Sequence, residues 1–196
     1  TMESIVPNPV VRAMPNTPAL IGKGVTGISA GARASSADIA RARAAVMDLL
    51  IRHIFDAIRK AFPPKGKAPR LALVAYGGYG RGELNPLSDI DLMFLRAYKA
   101  SPRTEQVVEY MLYILWDLGL KVGHAVRSVD DCLRQAKADL TIRTSILECR
   151  LLCGRGELYT DFKRRFVRDI VATTGFYSMV SFTLNAFEID PPKEAR

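Results

Sequence analysis

The stretch that decides the fold is YGGYGRGELNPLSDIDLMFL, residues 76–95. It joins a glycine pair, Gly77 and Gly78, to two alternating aspartates, Asp89 and Asp91. Because glycine lacks a Cβ, the backbone amides of such a turn can approach an anion closely. In a strand the two carboxylates would share one face, where repulsion favours a bound cation, and oxygen ligands select Mg²⁺ or Mn²⁺. The stretch therefore predicts a phosphate group and a metal at one place.

Outward from this stretch, the sequence predicts alternating helices and strands. Ser35 and Asp38 form a Ser-x-x-Asp capping pattern that opens a long amphipathic helix. Ser101 and Pro102 open a second helix, which ends before Gly119. The predicted strands are 71–76, about 90–95 and 120–127, and the later predicted helices are 129–138, 140–153 and 156–172. This order indicates an α+β fold, a small mixed sheet flanked by helices.

Composition divides the chain into four segments. Residues 1–34 carry four prolines, several glycines and no sustained periodicity, so we expect a flexible N-terminal arm. Residues 35–128 form the predicted core, and 129–175 form a helical extension. Residues 176–196 match no pattern and stay unassigned.

The charge of the chain, +8 with a pI near 9.6, would suit a polyanionic partner. The basic residues between Arg41 and Arg70, however, mostly recur at helical spacing opposite an apolar stripe, which is typical of a solvated helix face. They lack the aromatic pattern of a base-stacking surface. Nucleic acid is therefore an unlikely partner, and strong, steeply salt-dependent DNA binding would revive that interpretation.

The compartment follows from hydropathy and cysteine usage. No apolar run approaches the roughly 20 residues that span a bilayer, and the first residues lack the pattern of a secretory signal. Three cysteines, Cys132, Cys149 and Cys153, form no Cys-x-x-Cys pair, and the last two have the spacing of adjacent helical turns. We therefore expect a soluble cytoplasmic protein with reduced thiols and no membrane contact.

Two common phosphate motifs do not fit the glycine pair. The segment GKA at 66–68 lacks the Ser or Thr of a P-loop, and Glu83 replaces the last glycine of a dinucleotide-binding motif read from Gly78. A glycine turn followed by a strand with Asp-x-Asp would instead bring a triphosphate and metal ions together. That arrangement is the one needed for nucleotidyl transfer.

Two segments carry a family resemblance. GGYGRGELNPLSDIDL resembles the signature of the DNA polymerase β-type nucleotidyltransferase superfamily. LWDLGLKVGHAVRSVDDCLRQAKADLTIRTSILECRLLCG resembles the continuation of the bacterial protein-PII uridylyltransferase/uridylyl-removing enzymes, and the resemblance covers roughly residues 37–172. It implies a polymerase β-like core over 35–128 that transfers UMP from UTP to a tyrosine of a PII-type nitrogen-regulatory protein. Two Mg²⁺ ions would assist, and pyrophosphate would leave.

The resemblance also implies roles for individual residues. Gly77 and Gly78 would hold the triphosphate, and Asp89 and Asp91 would bind the catalytic metals. Arg81 would either neutralise phosphate or pair with Glu83, and Ser88 would either donate to a phosphate oxygen or cap its turn.

The sequence departs from the family pattern on the third strand. Superfamily members commonly add a third carboxylate there, but the candidate strand LKVGHAVR, 120–127, has none. A residue outside the strand, His124 or solvent would fill the place, or the site would use two carboxylates. Asp117 reads as a surface acid. Because the chain has two histidines and no His-Asp dipeptide, we do not expect uridylyl-removing activity in it.

Two other functions remain open at this point. One is a non-catalytic nucleotide-binding or docking module of the same fold, which the missing carboxylate and short chain suggest. The other is a nucleotidyltransferase with another base or acceptor, because the residues that read the base lie outside the recognisable motif.

Overall fold

The computed structural model describes residues 8–15, 26–63, 70–97 and 101–172. The strands are β1 (Val11–Pro15), β2 (Thr26–Ala30), β3 (Leu71–Ala75), β4 (Ile90–Arg96), β5 (Val122–Ser128) and β6 (Arg150–Gly154). The helices are α1 (Ser36–Ala61), α2 (Gly77–Gly80), α3 (Pro102–Asp117), α4 (Val129–Ala138), α5 (Leu140–Leu147) and α6 (Gly156–Phe166), and α6 continues as a π-helical stretch, Val167–Val171.

The central sheet has the strand order β5-β4-β3-β6. β4 and β5 run parallel, whereas β3 is antiparallel to both of its neighbours, β4 and β6. A parallel pair needs a crossover connection, and α3 supplies it between β4 and β5. These strands and the flanking helices confirm the predicted α+β fold with a small mixed sheet.

Helices cover both faces of this sheet, so all five residues of β3 are buried. On one face, Leu73 and Phe94 pack in a core shared with α1 and α3. On the other face, Val74 and Met93 pack in a second core shared with α4 and α6. Because side chains alternate along a strand, Asp91 lies in phase with Met93 and faces the side of α4 and α6.

The predicted helix starts are present. The Ser35 Oγ accepts a hydrogen bond from the Asp38 N–H, and the Asp38 carboxylate accepts one from the Ser35 N–H at 2.8 Å. The Ser35 hydroxyl also donates to Asp38 Oδ2 at 2.7 Å, and this bond, followed by the one from the Ser35 N–H, lowers the pKa of Asp38 to about 2. Ser101 caps α3 through the Thr104 N–H, Pro102 is its first residue, and Gly119 follows its end with a φ of +73°.

Residues 1–34 contain two strands that the sequence does not predict. β1 pairs antiparallel with β2, with Val11 opposite Ala30 and Arg12 opposite Ser29. A five-residue strand that ends at a proline has little periodicity of its own, so its structure depends on its partner. The boundaries of the four segments stay a prediction, and the predicted tail 176–196 lies outside the described residues.

The prediction of a helix over 140–153 is wrong in its second half. α5 ends at Leu147, and the residues that follow form β6, which pairs with β3. Cys149 and Cys153 therefore do not lie on adjacent helical turns, because Cys149 precedes β6 and Cys153 belongs to it. The open edge of β3 offers backbone partners that local helix propensity cannot match. The three thiols are free, and burial raises the pKa of Cys132 to about 12.

Within the described ranges, the helices are too short or too polar to cross a bilayer.

Replacing Gly154 by alanine should destabilise the protein more than the same change at Gly119. Both glycines have a positive φ, +97° and +73°, which costs an L-residue about 1–2 kcal/mol. A Cβ on Gly154 would also lie 2.5 Å from the Leu71 carbonyl oxygen, whereas one on Gly119 would meet nothing within 4 Å. In urea denaturation we expect the free energy of unfolding to fall by about 1 kcal/mol for Gly119→Ala and by at least about 3 kcal/mol for Gly154→Ala. Equal losses would contradict the close packing of β6 against β3.

Candidate active site

The glycine turn lies directly after β3. Tyr76 precedes α2 in an extended conformation, and α2 begins at Gly77, whose φ is +60°. Glycine adopts this left-handed conformation without the strain that a Cβ would bring. The amides of a first helical turn, here those of Gly77 and Gly78, have no acceptor within the helix. The structure therefore has a strand-to-helix turn where the sequence predicts one.

The two predicted carboxylates lie beside this turn. Asp91 is the second residue of β4, and Asp89 directly precedes the strand. The main-chain oxygen of Asp91 accepts a hydrogen bond from the Tyr76 N–H at 3.2 Å, which fixes β4 next to the turn. Asp89 is exposed, whereas Asp91 is half-buried. Burial, and then the negative charge of Asp89, raise the pKa of Asp91.

The carboxylate of Asp91 lies between two glycines. A Cβ built on Gly77 would lie 3.1 Å from Asp91 Oδ2, and one built on Gly123 would lie 2.6 Å from Asp91 Oδ1. Gly123 faces Asp91 because β4 and β5 pair in parallel with these residues in register. A side chain at 123 would overlap the Asp91 carboxylate. Gly123 therefore leaves space for the Asp91 carboxylate, and a side chain at this position would require that carboxylate to move.

The aspartate pair fits a divalent cation that is shared with a ligand. Among the described residues, no three or more His, Cys, Asp and Glu side chains are grouped to hold a metal ion. Mg²⁺ usually keeps several waters and takes one or two carboxylates together with substrate phosphates, so two carboxylates suffice. The raised pKa of Asp91 means that its ionised form lacks favourable partners, and a cation would supply one.

A cluster of polar and charged side chains connects the glycine turn to α1 and β6. The Tyr79 hydroxyl donates to Asp48 Oδ1 at 2.7 Å, and the Arg150 guanidinium donates to both Asp48 oxygens at 2.5 and 2.8 Å. Arg150 also donates to the Tyr79 main-chain oxygen at 3.2 Å, and its guanidinium lies 5.2 Å from the centre of the Tyr79 ring. Tyr79 is buried, and burial together with the Asp48 hydrogen bond raises the pKa of its hydroxyl. We call these three residues the Asp48 clamp.

Arg81 forms a second link between the glycine turn and the segment before β6. Its Nη1 donates to Glu148 Oε2 at 2.5 Å, and its Nε donates to Glu83 Oε2 at 3.3 Å. The main-chain oxygen of Glu148 lies so close to Gly80 that a Cβ there would overlap it. The pairing with Glu83 that the sequence suggests is therefore present, and a phosphate contact by Arg81 stays a prediction.

The turn that leads to the aspartates is exposed. The Ser88 N–H donates to the Asn85 main-chain oxygen at 3.1 Å, and Ser88 itself is exposed. Leu87 has a φ of +71° and a side chain that is 90% exposed. A positive φ in a leucine is strained, and such strain tends to occur at functional sites. A role for Ser88 toward phosphate stays a prediction.

His124 lies on the other face of the sheet from Asp91. It pairs in register with Leu92, whose side chain packs in the core with α1 and α3. The His124 ring is exposed and contacts the Trp116 ring edge-on, with centroids 6.1 Å apart. The structure therefore does not bring His124 to the two aspartates, and Asp117, at the end of α3, is also exposed.

Sequence reasoning missed several residues around the site. Arg127 follows Gly123 by four positions on β5, so it lies on the same face of the sheet as Asp91. Burial, and then the negative charge of Asp91, raise the pKa of the Tyr76 hydroxyl, whereas the positive charge of Arg127 lowers it. The period-two spacing of 123, 125 and 127 could have indicated Arg127, but no local signal marks Asp48 or Arg150, which lie far apart in the chain.

The sequence has close relatives among characterised bacterial proteins. The family model of glutamate-ammonia ligase adenylyltransferase matches residues 33–114. The bifunctional uridylyltransferase/uridylyl-removing enzyme of Azospirillum brasilense is 63% identical over 128 residues, which is 65% of this chain and 13% of that protein. The proteins of the same name from Rhodospirillum rubrum and Caulobacter vibrioides are 52% and 50% identical, over 66% and 72% of this chain. The chain spans 14% and 15% of the length of these two relatives.

Solved structures give a weaker similarity. A toxin–antitoxin crystal structure with AMP-PNP is 17% identical, with a TM-score of 0.38, and covers 71% of this chain and 98% of that chain. The MntA-HpeT toxin–antitoxin mutant D39ED41E is 16% identical, with a TM-score of 0.37 and the same coverage. TM-scores of this size support no conclusion.

Replacing Asp48 by asparagine should cost more stability than replacing Tyr79 by phenylalanine. Tyr79→Phe removes one hydrogen bond, worth about 1 kcal/mol. Asp48→Asn leaves the half-buried Arg150 charge without its carboxylate, for which we expect a loss of about 2–4 kcal/mol in the free energy of unfolding. Urea denaturation of both variants measures the difference. If Asp48→Asn costs no more than Tyr79→Phe, the ion pair is not what holds the clamp.

Proposed function

Since this chain contains a nucleotidyltransferase-type domain homologous to a segment of the bifunctional uridylyltransferase/uridylyl-removing enzymes, we propose that it transfers UMP from UTP to a tyrosine of a PII-type signal protein. The tyrosine oxygen attacks the α-phosphorus in line, a new P–O bond forms, and the bond to pyrophosphate breaks. UTP and a PII-type protein are the partners, and we place the reaction in the cytoplasm.

The observation that carries the proposal is the position of the Asp91 carboxylate. It lies between Gly77 and Gly123, beside Asp89 and at the start of the glycine turn. A carboxylate pair next to a strand-to-helix glycine turn is the arrangement that nucleotidyl transfer needs, because metal-bound phosphates must meet backbone donors there.

In this proposal Asp89 and Asp91 would hold two Mg²⁺ ions, and Mn²⁺ would also suit their oxygens. When bound, the metal supplies neutralisation of the charge that builds on the phosphates during transfer. The part of Asp91 would be to present its carboxylate oxygens beside the glycine turn, between Gly77 and Gly123. Asp89, at the exposed mouth, is accessible to a ligand from solvent.

The fold itself requires glycine at position 77, whereas at position 78 the ligand would require it. Gly77 has a positive φ, and a Cβ there would crowd Asp91. A Cβ on Gly78 would meet only ordinary contacts, 3.5 Å from the Glu83 oxygen and 3.6 Å from the Arg81 guanidinium. The fold therefore does not require glycine at 78, whereas close approach of a triphosphate to the backbone would. Arg81 would add charge to that contact, and Ser88 a hydroxyl donor.

The described residues offer no clear general base. His124, the alternative considered for the third strand, lies on the opposite face of the sheet from Asp91. We therefore leave removal of the tyrosine proton to solvent. Uridylyl-removing activity is not part of the proposal.

A second candidate function is a non-catalytic nucleotide-binding module. It is favoured by the absence of a third metal-binding carboxylate among the described residues. Calorimetry with UTP and Mg²⁺, paired with a pyrophosphate-release assay, separates the two functions. Binding without release would favour the module, and label transfer from another nucleotide would indicate a different base or acceptor.

Neutralising either aspartate should abolish transfer without weakening the fold. With radiolabelled UTP, Mg²⁺ and a PII-type protein, we expect Asp89→Asn and Asp91→Asn to lower the rate of labelling at least about 100-fold. Because burial and the Asp89 charge raise the pKa of Asp91, its ionised form costs stability at neutral pH, so Asp91→Asn should unfold at the same or a higher urea concentration. Asp117→Asn, an exposed acid outside the site, is the matched control. Labelling that is unchanged in both site variants would refute the mechanism.

Gly78→Ala should separate nucleotide binding from folding. We expect the stability to stay within about 1 kcal/mol of the parent, because the new methyl group meets no close contact. The affinity for UTP with Mg²⁺, measured by calorimetry, should fall roughly 10-fold or more, since a Cβ would separate the backbone from the phosphates. An unchanged affinity would show that the triphosphate does not approach the turn at this position.

A further inference from the structure

A cavity of about 620 Å³ opens at the end of the sheet opposite the glycine turn. Among the described residues it is lined by the last turns of α1, the first two turns of α3, Leu71 at the start of β3, and Gly154 and Arg155 at and after the end of β6. The glycine turn follows the far end of β3, so roughly 13 Å of strand separates the two places. The cavity is therefore distinct from the site of the two aspartates, and we call it the β3-start cavity.

The lining of this cavity is strongly basic. Among the described residues, Arg59, Lys60, Arg103 and Arg155 line it, against one carboxylate, that of Asp56. In the described part of the chain, none of these four cations has a carboxylate oxygen within 4.0 Å. With four cations and one carboxylate, the described lining carries a net charge of three positive units in one concave space. A cleft lined by one sign of charge concentrates the field and attracts counter-ions.

Two of the arginines are held in place by aromatic rings. The Arg59 guanidinium lies 5.7 Å from the centre of the Phe55 ring, and that of Arg103 lies 5.6 Å from the centre of the Phe62 ring. Arg103 also donates to Gln106 Oε1 at 2.7 Å, and the Phe62 ring stacks on Tyr110 with centroids 4.8 Å apart. These contacts orient the charged groups. They also cover the rings, so the cavity is poorly suited to stacking a nucleobase.

We propose that the β3-start cavity binds a small anion with two or more phosphate groups, of the pyrophosphate class. Its volume lies in the range of small-molecule sites, and two phosphate groups carry about −3 at neutral pH, which matches the uncompensated charge. The planar arginine heads suit bidentate contacts with phosphate oxygens. This inference does not depend on the proposed transferase function.

Calorimetry of the full chain with inorganic pyrophosphate tests the proposal. The titration contains EDTA and no divalent metal, so the repelling carboxylates of Asp89 and Asp91 do not contribute a site. We expect saturable binding that weakens roughly 10- to 100-fold in the double variant Arg59→Gln/Arg103→Gln. The matched control, Arg41→Gln/Arg134→Gln, removes the same charge from exposed arginines outside the cavity and should keep the affinity within about 3-fold.

A variant that is expected to bind pyrophosphate more tightly shows that the changes in affinity are not due to misfolding. Asp56→Asn removes the one carboxylate of the lining and should tighten pyrophosphate binding about 3-fold. The proposal is overturned if pyrophosphate does not bind at millimolar concentration, or if both double variants weaken binding equally, which would mean diffuse attraction. Displacement of pyrophosphate by mixed-sequence DNA duplex, at lower concentration and with steep salt dependence, would assign the surface to nucleic acid instead.

Discussion

The constraint on which the site depends is the lack of space around the Asp91 carboxylate. One oxygen faces the backbone of Gly77 and the other faces that of Gly123, and a Cβ on either residue would crowd it. Gly77 reaches this place because β3 turns sharply into α2, and Gly123 reaches it because β5 pairs in parallel with β4. The backbones of α2 and β5 therefore lie on either side of the carboxylate, which belongs to β4.

Residues distant from the aspartates keep this arrangement in place. The Asp48 clamp joins the glycine turn to α1 and β6, and Arg81 joins it to Glu148 in front of β6. These contacts connect the glycine turn to the body of the protein. Asp89 and the loop that precedes it, residues 85–88, are exposed instead. A site with rigid support on one side and an open mouth on the other suits a ligand that enters from solvent and a reaction that needs fixed geometry.

The two ends of β3 have opposite electrostatic character. Beyond its last residue lies the aspartate pair, and at its first residue lies a cavity whose described lining has four cationic side chains and one acid. Net charge alone, +8, suggests a polyanionic partner but gives no location for it. In the structure Arg59 is exposed, as its helical spacing predicts, and it also lies with Arg103 on a concave surface.

The sequence by itself determined the elements whose signals are local. Caps at Ser35 and Ser101, the glycine turn and the two strands beside it all follow from short-range chemistry, and the structure has them. The sequence could not give β6, because the pairing of Arg150–Gly154 with β3 depends on a strand edge about 80 residues earlier, and local propensity favoured helix. Nor could it place His124 away from Asp91, or Gly123 beside it. Those facts depend on the register of β4 against β5, which only tertiary packing decides, since a shift of one residue reverses the face of every side chain.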